Sequence, residues 1–435
     1  MAKRFAFKCT GCGRCCTGKG GVARVNGVEI AAISDYLSMP EESFVKKFVR
    51  IVNGGPALRQ TEDDSQCVFL DNKKCTIYPV RPTQCRTYPF WPQQLISKYD
   101  WQLAAKQCEG IKITATDEKD FVPDDVVLKE MVVHEVHRSG EEMTYDDIHE
   151  LVSELDPSML QEFKEDIDAK YTRKILFESD GVLVMDSFLD DLPPTRSLHF
   201  TNRLELVQSE VFLSKDGSID FTKLALDVHK GLCIGLALTT KPDSLRIGLL
   251  GAGAGVLPAY LEKNVIGDVH IDAVDPSIAI LQAGREYFNL KQSTRLALHT
   301  EFGEDFLAKQ ESSSTDWLII DVEDGSTSES TLRAPPASFL TSDFLKQVER
   351  VLTPTGSVAI NAIYSDKDSA LKTIQEVMAP HFVEVWVLEM PKNSIVFGLR
   401  TPTTFPTLDL SNLSSELART IEGVFTASHQ FYKLQ

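Results

Sequence analysis

Residues 9–16 read CTGCGRCC and place the thiols of Cys9, Cys12, Cys15 and Cys16 within eight residues; Cys67, Cys75, Cys85 and Cys108 follow. A C-x2-C loop lets two thiolates converge on one ion while distant cysteines complete its shell. Eight of the nine cysteines lie before residue 109, Cys233 being the exception. In a reducing compartment such clustering points to metal binding or redox chemistry rather than structural disulfides. The eight thiols could fill two four-sulfur sites or one cluster with spares, and thiolates suit zinc and iron–sulfur clusters alike. Arg81 and Arg86 are placed to donate to sulfur or to neighbouring carbonyls and so tune the centre. Pairing with surface carboxylates is their alternative role.

A second constellation begins at RIGLLGAGAGVLPAYL, where Gly251, Gly253 and Gly255 separate an apolar strand from a helix. Glycines there let the backbone turn tightly and approach a ligand, and the helix start favours anionic groups. Asp275 ends the next strand, HIDAVD, 24 residues after Gly251. A carboxylate at that point can accept from both ribose hydroxyls of an adenosine moiety. The order strand, loop, helix, strand, acid predicts nucleotide or adenosyl binding.

Farther on, DWLIID ends in Asp321, with Glu323 and Asp324 just beyond. A carboxylate at such a strand end can orient an incoming amine and accept its proton; a structural strand cap is the alternative. Glu323 and Asp324 read as solvent-exposed, and His229 as a satisfied core or helix-face histidine. Asn361 ends a strand near the same pocket or bonds a loop. Gln208 and Glu210 are candidates to close over the bound donor.

The elements that must position these residues follow from periodicity. Residues 1–112 hold the cysteines. Residues 113–170 are acidic, with helical patterning in YDDIHELVSEL and SMLQEFKEDIDAKY divided at Asp156-Pro157, and form a helical extension or linker. Residues 171–240 read as short strands (KILFES, GVLVMDSF, LHFTN, LELVQSEVFL) and one long apolar helix, LALDVHKGLCIGLAL. From 241 to 435 strands and helices alternate, which predicts an α/β domain with a mostly parallel sheet covered on both faces. Its last two strands suit an antiparallel edge hairpin.

Charge separates along the same lines. Residues 1–112 carry 17 Lys and Arg against 10 Asp and Glu, while the remainder carries 28 against 53. Eight metal-bound thiolates would nearly cancel the basic excess of the first segment. The acidic remainder argues against nucleic acid and suits a basic protein substrate. No apolar run approaches a bilayer span, and MAKRFAFKC lacks the apolar stretch of a secretory signal. The expected compartment is the cytoplasm.

Two resemblances sharpen these readings. CTGCGRCC, CVFLDNKKCTIYPVRPTQCRTYPF and the CEGI at 108–111 resemble the YkgJ-type cysteine-cluster family of zinc- or iron-chelating domains. Residues from about 173 to 400 resemble the spermidine-synthase-like methyltransferase superfamily, and within it enzymes that modify eukaryotic elongation factor 1-alpha. RLELVQSEVFL, LLGAGAGVLPAYL, HIDAVDPS and the PPASF after Asp321 carry that likeness. It implies a seven-stranded Rossmann-like sheet with an N-terminal β-strand subdomain, S-adenosylmethionine as cofactor, and Asp321 as the catalytic group. Two departures stand out. Leu249 occupies the place of an acid two residues before the first glycine, as in polyamine synthases. Phe302 replaces the acid that precedes Gly303, leaving Glu301 or Glu304 to meet the adenine with Phe302 packed on its ring.

The sequence therefore predicts a methyltransferase acting on a protein amine, a lysine or an N-terminus, with an elongation factor as the target implied by resemblance. A sulfonium methyl needs only in-line attack by a neutral amine, so the protein must supply alignment and desolvation. Aminopropyl transfer to polyamines is the enzymatic alternative, opposed by VEDGSTSEST after Asp321, which lacks those synthases' Ser-Ser-Asp-Pro-like continuation. A metal protein that senses S-adenosylmethionine without turnover is the other. The metal centre is expected to build the first domain and help dock substrate.

Overall fold

The computed structural model describes residues 4–18, 21–63, 65–190, 192–238, 243–323, 332–391, 393–402, 410, 413–426 and 430–434. It divides into two compact units, Met1–Arg173 with Phe188–Leu192, and Lys174–Ser187 with Pro193–Gln435.

In the first unit, helix Gly27–Tyr36 opens with a capping box: Asn26 accepts from the Glu29 N–H, and the Glu29 carboxylate accepts from the Asn26 N–H. Its apolar face joins Phe44, Phe69 and Ile77 in one small core. A second core joins Phe90, Trp101 and Ile111 to Val132, Val133, Ile148 and Ile167. Helices Asp124–Arg138, Tyr145–Glu154 and Pro157–Lys170 therefore share a core with the cysteine-bearing segment. Asp156 caps the last of these, accepting from the Ser158 and Met159 N–H groups, so the Asp-Pro step ends one helix and starts another. A buried pair ties the unit together: the Glu29 carboxylate lies 3.0 Å from His137 Nε2 and accepts at 2.6 Å from both the N–H and the hydroxyl of Thr83.

A five-stranded sheet runs in chain order through Tyr171–Ser179, Val182–Leu189, Thr195–Phe200, Val207–Leu213 and Ile219–Asp220. The expected long helix after it is instead two short ones, Asp227–Leu232 and Gly235–Leu238. Between them the bonding tightens to i→i−3, Ile234 N–H to Gly231 and Leu236 N–H to Cys233, and the backbone comes close to the sheet: a Cβ on Gly235 would stand 2.3 Å from the Trp317 indole nitrogen. The segment packs flush on the main sheet.

That sheet contains β1 (Ser244–Leu250), β2 (Asp268–Val274), β3 (Leu296–His299), β4 (Thr315–Ile320), β5 (Leu332–Ala334), β6 (Leu352–Tyr364), β7 (Glu384–Glu389), β8 (Ser394–Leu399) and β9 (Gln430–Lys433). The order is β3-β2-β1-β4-β6-β8-β7-β9, with β5 paired to β6. The pairs from β3 through β6 are parallel; β8, β7 and β9 add antiparallel neighbours. Among the described residues the sheet thus has nine strands where seven were expected. The surplus is β9, which covers β7 and stops the last hairpin from being an edge, and the short β5. Side chains alternate between two cores: Trp317 and Ile319 of β4 face one, Leu318 and Ile320 the other. Both faces are covered, which is why the WLII of this strand reads as a continuous apolar run. Among the described residues, no helix is long and apolar enough to cross a membrane.

Candidate active site and cysteine centre

The parallel strands end in a row, each end tied to the next. The Asp275 N–H donates to the His299 carbonyl at 3.1 Å, the Gly251 N–H to Val274 at 2.9 Å and the Asp321 N–H to Leu250 at 2.9 Å. The row closes where the Asn361 amide donates to Asp321 Oδ1 at 2.8 Å. The C-terminal edge of a parallel sheet is where such folds hold ligands. Asp275 and Asp321 stand two inter-strand spacings apart, roughly 10 Å, a span suited to a ligand whose ribose and reactive carbon are well separated.

Gly251, Gly253 and Gly255 all take positive φ, +86°, +55° and +78°. At Gly251 a side chain has no room either, because a Cβ would fall 2.0 Å from the Asp321 carbonyl oxygen. Gly255 precedes helix Val256–Asn264, which opens the path to β2. The loop is held from two sides: the Gly253 N–H donates to Asp275 Oδ2 at 2.9 Å, and the Ala254 N–H to the Ser209 hydroxyl at 3.1 Å. Asp275 is 7% exposed, and its other oxygen accepts from the Ser277 N–H at 2.9 Å. Burial raises its pKa while the Ser277 and Gly253 N–H groups oppose the rise. Each oxygen keeps lone-pair capacity for a ribose hydroxyl, so the loop and Asp275 fit an adenosyl group.

The next predicted positions are less uniform. Gly303 is buried against Leu250 and Phe339. Phe302 is 63% exposed, Glu301 pairs with Lys309, and Glu304 accepts from the Ser338 hydroxyl at 3.0 Å. Gln208 sits by Gly253, where a glycine Cβ would lie 3.9 Å from its carbonyl oxygen, and Glu210 is on the strand Val207–Leu213.

Asp321 has a side chain 20% exposed. Burial pushes its pKa up to about 6, with the Asn361 amide opposing and Glu323 adding to the rise. Two neighbours differ from their sequence reading. His229 is not a satisfied core histidine: its Nε2 stands 3.8 Å from Asp321 Oδ2, and its buried Nδ1 has no hydrogen-bond partner. Burial lowers its pKa to about 4, so it is a neutral imidazole. Glu323 is not a solvated charge either. Its side chain is 16% exposed and accepts at 3.0 Å from Arg203, itself 7% exposed, and at 3.0 Å from Arg333. No local pattern marks Ser209, Arg203 or His229 as site residues, since each reaches the site from a distant segment. Asp324 lies outside the described residues.

In the first unit the cysteines come from four chain segments. The Cys67 N–H donates to the Cys16 carbonyl at 2.8 Å, Cys75 pairs across a short hairpin with Leu70, and the Lys8 N–H donates to Gly110 at 3.0 Å, setting Cys9 beside the Cys108 segment. Cys15 and Cys16 sulfurs lie 4.0 Å apart. Burial raises the proton affinity of Cys67, Cys75, Cys85 and Cys108, and the charge of Cys15 raises each further. Among the described residues no three Cys, His, Asp or Glu side chains stand as ligands of one ion. The donor chemistry nevertheless fits a soft cation, which would reverse the repulsion among neighbouring thiolates. Arg81 and Arg86 donate to the Tyr78 and Pro79 carbonyls at 2.8 and 2.6 Å, and Arg86 also pairs with Asp146 at 3.1 Å.

The row of strand ends thus brings a positive-φ glycine loop and two acids, Asp275 and Asp321, to the C-terminal edge of a mostly parallel α/β sheet. Residues 8–109 match the family model described as "CxxCxxCC: Putative zinc- or iron-chelating domain". Over 218 residues the chain is 29% identical to "eEF1A lysine and N-terminal methyltransferase" of Bos taurus, covering 47% of this chain and 30% of that protein. This chain therefore spans less than a third of that relative's length. Among solved structures, a probable spermidine synthase from Corynebacterium glutamicum aligns with 60% of this chain and 90% of its own at 17% identity and TM-score 0.47. Human methyltransferase-like protein 13, in complex with SAH, aligns with 46% and 93% at 23% identity and TM-score 0.38. One polypeptide thus joins likenesses to a zinc- or iron-chelating domain and to methyltransferases.

Proposed function

We propose that this chain is an S-adenosylmethionine-dependent methyltransferase that modifies a protein amine, a lysine side chain or an N-terminus. The observation that carries the reading is the row from Asp275 to Asp321, two acids on one strand-end edge, the first buried and suited to a ribose, the second half-buried and suited to an amine. Asp275 and the positive-φ loop from Gly251 to Gly255 would hold the adenosyl part. S-adenosylmethionine supplies a methyl group whose bond to sulfur breaks as the amine nitrogen forms its bond to the methyl carbon.

The chain's own residues prepare that amine. With a pKa of about 6, Asp321 is ionised at pH 7.5 and can take one proton from the incoming ammonium, freeing the nitrogen lone pair. His229, neutral beside it, places no competing cation against that ammonium. Glu323 is paired with Arg203 and Arg333, whereas among the described residues Asp321 has no lysine or arginine partner.

A translation factor is the substrate class suggested by the bovine relative's name, and the acidic balance after residue 112 suits a basic protein met in the cytoplasm. The cysteine domain would hold zinc or iron, or an iron–sulfur cluster, through Cys9, Cys12, Cys15, Cys16, Cys67, Cys75, Cys85 and Cys108. The test is transfer of labelled methyl from S-adenosylmethionine into proteins of a cell extract, using anaerobically purified chain. Label in a discrete protein band supports the proposal. Donor binding without label in any protein would refute protein methylation, leaving small amines or sensing.

A further inference from the structure

The hairpin joining β7 to β8 carries a residue with no motif around it. The Met390 N–H donates to the Asn393 carbonyl at 2.9 Å, which fixes the backbone of Asn393 at the start of β8. Its side-chain amide then donates to Asn361 Oδ1 at 2.7 Å, and the Asn361 amide donates in turn to Asp321 Oδ1 at 2.8 Å. Asn361 is 5% exposed and lies on β6, opposite Ile395 of β8.

The direction of this chain is dictated by chemistry. An ionised carboxylate only accepts hydrogen bonds, so it needs the NH2 end of Asn361. That choice leaves the Asn361 carbonyl facing away from Asp321, and only a donor can satisfy it there. Asn393 supplies the donor. An acceptor at 393 would face the Asn361 carbonyl and turn the amide over, presenting oxygen to oxygen at Asp321.

We propose that Asn393 is a positioning residue for proton transfer: through Asn361 it ties Asp321 Oδ1 down and leaves Oδ2, the oxygen facing His229, as the atom that receives the proton. This rests on the methyl-transfer reading. In the step, the N–H bond of the substrate ammonium breaks, the proton passes to Asp321 Oδ2, and the electron pair stays on nitrogen for the attack on the methyl carbon. The groups facing Asp321 are His229 from helix Asp227–Leu232, Asn361 from β6 and Glu323 beyond β4, with Arg203 and Arg333 held on Glu323.

The test reads Asp321 directly, without substrate. In full-length protein carrying 13C at the aspartate carboxyls, the Asp321 signal is assigned by its loss in Asp321→Asn and followed through a pH titration. Asn393→Asp should raise the midpoint by about one pH unit, since a hydrogen bond to the charged form is exchanged for an acceptor. Much of that rise should vanish when the same change is made in an Asn361→Leu background, because the relay is then already cut. An equal rise in both backgrounds would reduce Asn393 to a bystander whose new charge acts through space, and overturns the proposal. If Asn393→Asp does not fold, Asn393→Leu removes the donor without adding charge; an unmoved midpoint in that folded variant also overturns it. The acid limb of kcat/KM should move with the carboxyl midpoint. A shifted midpoint in a protein that methylates nothing would sink the transferase reading while the positioning role stands.

Discussion

Replacing Asp321 with asparagine should make the protein more stable at neutral pH while disabling it. The side chains are nearly the same shape, and the asparagine carbonyl can still accept the Asn361 amide. What changes is charge. Burial raises the Asp321 pKa from 3.8 to about 6, so the folded state binds the proton more tightly than the unfolded chain does. The associated stability is fully present below 3.8 and is lost as pH rises through about 6, a change of about 3 kcal/mol. Asparagine has no such dependence. The stability difference between Asp321→Asn and the natural protein should therefore grow by up to about 3 kcal/mol in the variant's favour between acid and pH 7.5. Urea unfolding of both proteins across that range measures it. Methyl transfer, read alongside, should fall by about 100-fold or more, the scale of losing a positioned base. A stability difference that stays flat with pH, or that favours the natural protein at pH 7.5, would refute the claim that Asp321 is a carboxylate held against its solvation preference.

The donor site makes two further predictions. Gly251→Ala places a methyl 2.0 Å from the Asp321 carbonyl oxygen at a φ of +86°; it should abolish S-adenosylmethionine binding by calorimetry and lower the melting temperature. Asp275→Ala should weaken that binding by about 10- to 100-fold, the worth of hydrogen bonds to a charged acceptor, with an unchanged pH dependence of Asp321 as the control. In the first unit, Glu29→Ala strips His137 and Thr83 of a hydrogen-bond partner at a site where the Glu29 and His137 side chains are both 5% exposed; a loss of about 1–3 kcal/mol is expected for the buried groups left unsatisfied, read by urea unfolding. Although burial opposes ionisation, His137 and Thr83 hold the Glu29 pKa below 4.5, so this contribution is present above 4.5 and lost as pH falls below it. Removing metal with a chelator should lower the unfolding temperature of the first unit and leave donor binding intact; elemental analysis should show less metal in Cys85→Ser.

The glycine loop and its strand-end acid were readable because their signals are local. Gly251, Gly253, Gly255 and Asp275 fall within 25 residues, and each is demanded by the turn or strand end where it sits. The alternation of apolar strands with helices was equally plain, since periods of 2 and 3.6 are carried by neighbours in the chain. The extra strands were harder. β9 has four residues and gains its place only by pairing with β7, so nothing within it announces a strand. The two short helices before β1 also looked like one, because the i→i−3 turn that parts them leaves the apolar stripe unbroken. Glu323 was misread as solvated for the same reason: Arg203 arrives from 120 residues away.

By itself, the sequence determined that this protein pairs a thiol-rich segment with a glycine-loop α/β domain, and that Asp275 and Asp321 end two of its strands. Those features depend on covalent order and on backbone rules that act over a few residues. The surroundings of Asp321 were decided only in the tertiary structure. His229 and Asn393 are 164 positions apart in the chain, and Asn361 reaches Asp321 across a sheet. Desolvation and hydrogen-bond direction depend on which atoms finally surround a carboxylate, and no stretch of sequence contains that set.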